Sequence, residues 1–130
     1  MNEIRNKALE ELLTTAEGLD WSYTIWNESE GTFGSERNYV ELEKYSPEGE
    51  DFSMIIDFET ENPVDSFLKD LKDYYEDFDP DEHAEMWIEA RGRVSGVPNS
   101  IRTLIDDAEA IKEMIYELWD KLSDEVALPF

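Results

Sequence analysis

A chain of 130 residues with 34 Asp and Glu against 11 Lys and Arg carries a formal charge of −23. That excess excludes direct attraction to phosphate backbones and anionic lipid, both of which need a basic surface. Hydrophobic residues at 40%, with four Trp, six Tyr and six Phe, suffice for one core, so residues 1–130 are read as a single folded domain.

In chain order, the spacing first predicts a helix over 3–17. Ile4, Ala8, Leu9, Leu12, Leu13 and Ala16 follow the 3.6-residue period, and Gly18 closes it. Strands are predicted at 21–26, 38–45 and 52–58. Val40 and Leu42 alternate with Glu41 and Glu43 in the second, and Phe52, Met54, Ile56 and Phe58 share one face of the third. Residues 30–34 and 46–50 supply the hairpin connections.

From residue 62 the period turns helical. Asn62-Pro63 reads as an N-cap followed by proline at the first helical position. Val64, Phe67, Leu68, Leu71, Tyr74, Tyr75 and Phe78 form its apolar stripe. Asp79-Pro80 opens a helix over 80–91 in the same way, with Glu82 completing a capping box and Ala84, Trp87 and Ile88 turned inward. After a loop over 92–99, Ser100 caps a long helix to residue 122. Leu104, Ala108, Ile111, Ile115, Leu118 and Leu122 face its core, and residues 126–130 form an apolar tail. The expected fold is α+β: an N-terminal helix, a three-stranded antiparallel sheet, then three helices (α-β-β-β-α-α-α). Its first five elements follow the order of a double-stranded RNA-binding domain, but the charge has the wrong sign for that function.

The N-terminus lacks the apolar core of a signal peptide, and no apolar run reaches the roughly 18 residues of a membrane span. A cytoplasmic protein without membrane contact is expected. With no cysteine, disulfides, thiolate metal sites and cysteine nucleophiles are absent. Asp77, Asp79 and Asp81 share the spacing of a calcium loop. However, Glu82 stands where that loop turns on glycine, and Ile88 where a bidentate glutamate is needed. His83-Ala84-Glu85 has the H-x-E of zinc deaminases without their cysteines. His83 is the single histidine, so a two-histidine zinc site cannot be built, and its position in a first helical turn reads as surface. No phosphate-binding glycine loop or nucleophile elbow occurs. The expectation is a non-enzyme without metal or cofactor.

The distribution of acids is the informative feature. Residues 73–90 contain Asp73, Glu76, Asp77, Asp79, Asp81, Glu82, Glu85 and Glu89 and no Lys or Arg. Asp81, Glu85 and Glu89 fall at i, i+4, i+8 and line one helix face, where like charges cost a few tenths of a kcal/mol per pair. Asp79 is set apart from the binding candidates as a capping residue. A second ladder, Asp106, Glu109, Glu113, Glu117 and Asp120, spans roughly 21 Å of the last helix. Arg102, Lys112 and Lys121, three or four positions from Asp106, Glu109 and Glu117, are expected to neutralise it in part. The total charge equals that of roughly 39 Å of duplex DNA, and a compact chain of this length is roughly 36 Å across. The two charge densities are of the same order.

The stretch 78–122, through F-D-x-D-E-H-x-x-x-W and V-P-x-x-I-R-x-L-x-x-D-A-E, resembles small acidic proteins of phages and conjugative elements. In character it is similar to antirestriction proteins of the ArdA type and to acidic anti-CRISPR proteins. The resemblance implies inhibition of a host-defence protein by imitation of DNA. The partner is then a basic nucleic-acid-binding protein, met without direct nucleic-acid binding. Two further readings stay open: an immunity-type protein that neutralises a basic nuclease toxin, and a domain whose acidity is adaptation to high salt. The apolar tail with Trp26 and Trp119 exceeds the needs of one core and predicts a two-fold dimer.

Overall fold

The computed structural model describes residues 2–3, 5–29, 36–91 and 101–126. Its elements are β1 (Asn2–Glu3), α1 (Lys7–Gly18), β2 (Ser22–Ser29), β3 (Glu36–Tyr45), β4 (Asp51–Phe58), α2 (Pro63–Asp77), α3 (Pro80–Arg91) and α4 (Ile101–Val126). The α+β order expected from the sequence is present, with one short strand added at the front. The strands form an antiparallel sheet in the order β1-β2-β3-β4. No helix among the described residues is long and apolar enough to cross a membrane.

The first helix is shorter than its periodicity suggested. Asn2 and Glu3 pair with Asn27 and Trp26 of β2, and α1 starts only after Asn6. The Asn6 carboxamide accepts the Leu9 N–H at 3.1 Å, while Glu10 accepts the Asn6 N–H at 3.1 Å and pairs with Arg5 at 2.9 Å. These contacts satisfy helical N–H groups that would otherwise be unpaired. At the other end Gly18 is inside the helix and does not close it. Asp20 takes φ 72°. The Asp20 N–H reaches Glu17 O at 3.0 Å and the Trp21 N–H reaches Ala16 O at 3.0 Å, the bond pair of a Schellman cap.

The three predicted strands all form. Along β4 burial alternates residue by residue, with Phe52, Met54, Ile56 and Phe58 inward. Val40 and Leu42 of β3 are fully buried, and Ile25 of β2 joins them. Leu9, Leu12, Leu13 and Ala16 of α1, Phe67, Leu68 and Leu71 of α2, and Ile111, Ile115, Leu118 and Leu122 of α4 complete this core. Each of the larger side chains contributes about 1.5–3 kcal/mol by leaving water, and Ala16 less. A second, small cluster of Ala84, Leu104 and Ala108 joins α3 to α4.

Several boundary expectations are corrected. Pro63 begins α2 as expected, but Asn62 makes no side-chain cap. Ser66, inside the first turn, ties the preceding segment to the helix instead of capping it: its hydroxyl accepts the Glu59 N–H at 2.7 Å and donates to Asn62 O at 2.6 Å. Asp79 does cap α3, accepting the Asp81 and Glu82 N–H groups at 3.0 and 3.4 Å. α4 runs on to Val126, one turn past Leu122, and Val126 packs against the core. Trp26, read as surplus, is buried in the single chain and stacks on its cross-strand neighbour Tyr39 at 5.3 Å. The 30–34 connection, the 92–99 loop, the Ser100 cap, the side chains of Trp87 and Ile88 and the tail after Val126 lie outside the described residues.

Candidate acidic interface

The turn between β3 and β4 fixes the relative placement of the last two helices. Gly49, at φ 92°, lets the turn close with its N–H on Ser46 O at 2.9 Å. Asp107 of α4 is buried; its carboxylate accepts the Ser46 hydroxyl at 2.7 Å and the Glu48 N–H at 3.0 Å. From the same turn Glu50 reaches His83 of α3, Oε2 to Nε2, at 2.6 Å. His83 is therefore no surface residue: its ring lies against Phe78 and Phe52, with centroids at 5.2 and 5.7 Å. Within residues 78–122, the contacts of His83 and Asp107 thus hold α3 and α4 to the β3–β4 turn. Phe78, Ala84, Leu104 and Ala108 are buried, Asp79 caps, and His83 and Asp107 pin the turn.

On this frame the acids fall on separate surfaces. Asp70, Asp73 and Asp77 lie at i, i+3, i+7 along one edge of α2, where helical neighbours face the same way. They border two hollows that share Asp70 and Asp73. One, of about 610 Å³, runs to Asp57, Glu59 and Glu61 beside the end of β4; the other, of about 390 Å³, runs to Asp79, Glu82 and His83. The Asp57 N–H donates to the Asp70 carboxylate at 2.8 Å. Burial, then the charge of Asp70, raises the Asp57 carboxyl above its ordinary value, against the opposing pull of Arg37. Lys69 pairs with Asp73 at 3.3 Å in the open, so the first acid of the base-free block has a partner just outside it. Surface pairs of this kind are worth about 0–1 kcal/mol.

Among the other candidates, Asp81 and Glu85 are exposed on α3 and border neither hollow. The Glu89 side chain lies outside the described residues. Glu76 sits on the far side of α2, beside Tyr75, Tyr116 and Trp119. Asp106, Glu109, Glu113 and Glu117 are exposed and Asp120 half-buried, on the side of α4 away from its buried leucines and isoleucines.

The close ion pairs expected along this α4 ladder are not formed: no ion pair among the described residues involves any of its acids. Lys112 instead donates to Phe78 O at 2.8 Å, at the C-terminal end of α2, and lies 5.2 Å from the Tyr75 ring centre. Lys72 lies over Trp119 and Lys44 over Trp21. Lysine placed on a ring face is held by the ring quadrupole, and among the described residues Lys44, Lys72 and Lys112 make no ion pair with a carboxylate.

Asp57, Glu59, Glu61 and Asp70 were not among the sequence candidates. Lys69 and Lys72 stand beside Asp70 in the chain, which hides its link to Asp73 and Asp77. On the helix Lys72 points to the Trp119 side, so it does not neutralise that edge. The calcium-like spacing of Asp77, Asp79 and Asp81 is a helix start, and the described residues contain no group of three or more Asp, Glu or His placed to hold a metal ion. The geometry offers carboxylates to basic side chains. No family model, no curated protein and no solved structure matches this chain.

Proposed function

We propose that this protein is a non-catalytic inhibitor that presents a DNA-like acidic surface to a basic nucleic-acid-binding protein of the restriction or CRISPR-effector kind. The observation that carries this reading is where the lysines go. Lys44, Lys72 and Lys112 lie on aromatic rings, while the α4 ladder has no ion-pair partner among the described residues. Folding alone favours compensation, because like charges at helical spacing repel. A ladder left unpaired suits recognition of a basic surface.

The spacing suits it too. Five acids over roughly 21 Å of helix place one charge per roughly 5 Å, against 3.4 Å per phosphate along one DNA strand. The hollows beside α2, where carboxylates outnumber the Arg37 and Lys69 that also line the larger one, add a second acidic surface. The likeness of residues 78–122 to antirestriction and anti-CRISPR proteins points the same way.

The test is DNA cleavage by a panel of restriction and RNA-guided nucleases, with the protein added before or after the DNA. Inhibition is expected only when the protein meets the enzyme first, with no mobility shift of DNA by the protein alone. A direct shift of DNA, inhibition indifferent to the order of addition, or no inhibition across the panel contradicts the proposal.

A further inference from the structure

We infer that the aromatic cleft between α2 and α4 is an arginine pocket, which seats a guanidinium of the basic partner. The inference rests on the proposed reading that the partner is basic, and it names the side chain by which that partner is gripped.

The cleft, of about 170 Å³, is lined by Lys72, Tyr75 and Glu76 of α2 and by Tyr116 and Trp119 of α4. Its rings form walls in different planes. Tyr75 and Tyr116 meet edge to face, with centroids 5.3 Å apart at 85°, and Tyr116 and Trp119 lie 6.2 Å apart at 42°. Tyr75 and Trp119 also rest against the core, but Tyr116 is 44% exposed and has no place in that core. Tyr116 thus stands beside two other rings with nearly half its surface open to a ligand.

These ring faces already hold cations. Lys72 Nζ sits 5.4 Å from the Trp119 ring centre and Lys112 Nζ sits 5.2 Å from that of Tyr75. Lys112 is fixed by its bond to Phe78 O. Lys72 is exposed and makes no hydrogen bond or ion pair among the described residues. It acts as a placeholder that an incoming cation displaces.

The rim is acidic. Glu76 lines the cleft. Glu113, three positions before Tyr116, and Asp120, four after it, are its neighbours on the surface of α4. No ion pair among the described residues involves these three acids. Flat rings with carboxylates at their edge match a guanidinium, which stacks by its plane and donates in pairs from its edge; an ammonium does only the second weakly. Tyr, Trp and Arg are also the residues that dominate binding energy at the centres of protein interfaces.

The experiment titrates the full chain with an oligo-arginine peptide and with an oligo-lysine peptide of equal length and charge, at physiological salt. Bulk acidity binds both alike, whereas the pocket favours arginine by about threefold or more, because a guanidinium stacks flat on a ring and donates in pairs to the rim carboxylates while an ammonium does neither as well. Tyr116→Ala and Trp119→Leu should abolish the preference, and Lys72→Ala should widen it. Thermal melts check that Trp119→Leu folds, and Tyr116→Ala carries the test alone if it does not. Equal binding of both peptides by the unaltered protein, or a preference that survives Tyr116→Ala, overturns the pocket. Loss of the pocket with nuclease inhibition intact leaves the proposed function standing. Arginine preference without nuclease inhibition leaves the pocket and removes that function.

Discussion

His83 Nε2 lies 2.6 Å from Glu50 Oε2, and this contact ties the first turn of α3 to the end of the β3–β4 turn. Both side chains are largely shielded, at 20% and 12% exposed. Removing either leaves a shielded polar group without its partner, so His83→Ala and Glu50→Ala should each lower stability by about 1–3 kcal/mol. The double variant should lose less than the sum, with a coupling of at least about 0.5 kcal/mol in denaturant unfolding. Strict additivity would show that the contact contributes nothing.

Moving a glycine tests the end of α1. Gly18 is helical and a Cβ added there meets nothing within 4 Å, so Gly18→Ala should stabilise by about 0.5–1 kcal/mol. Asp20 holds φ 72°, which glycine adopts without strain, and Asp20→Gly should also stabilise by about 0.5–1 kcal/mol. A loss of stability in Gly18→Ala would return the cap to residue 18.

How far the sequence foretold these features depends on whether a repeating pattern encoded them. The alternation of β4 and the inward stripe of α4 follow from burial on one side, so both were legible. Asn2 and Glu3 form a strand too short to have a period, and Ile4 and Ala8 carried the helical pattern backward over the true cap at Asn6. The site was legible in part. The absence of bases in residues 73–90 marked Asp73, Asp77 and Glu82, yet a linear window could not show that Lys72 faces away from Asp70. Nor could spacing show that Lys112 reaches Phe78 O instead of Glu109, because that contact joins residues distant in the chain. Glu50, Ser46 and Asp107 were missed for the same reason.

Asp57 predicts a dependence on pH. Burial and Asp70 raise its carboxyl above the ordinary 3.8. The folded state therefore holds this proton more tightly than the unfolded one, and stability falls as pH rises from 3.8 through the raised value. Asp57→Asn should melt higher than the unaltered protein at neutral pH, and the advantage should disappear below the ordinary aspartate value. An equal or lower melting temperature at neutral pH would contradict the repulsion.

The net charge of −23 makes the compact state repel itself, and salt screens such repulsion within a Debye length of about 8–10 Å at physiological strength. Sodium chloride should raise the melting temperature between low and physiological concentration. A flat or falling curve would show that the acids compensate one another.

The central claim is that a patterned acidic surface, and not bulk charge, binds the partner. The direct measurement is dose-dependent nuclease inhibition by two variants of equal net charge. One carries Asp106→Asn, Glu109→Gln, Glu113→Gln and Glu117→Gln, all exposed and turned away from the core. The other carries Glu11→Gln, Glu17→Gln, Glu48→Gln and Asp51→Asn, exposed on α1, the β3–β4 turn and β4. The ladder variant should melt no lower than the unaltered protein and need at least about tenfold more protein for the same inhibition, the weight of 1.4 kcal/mol, while the second variant inhibits as the unaltered protein does. Equal loss in both, or full inhibition by the ladder variant, would contradict the account.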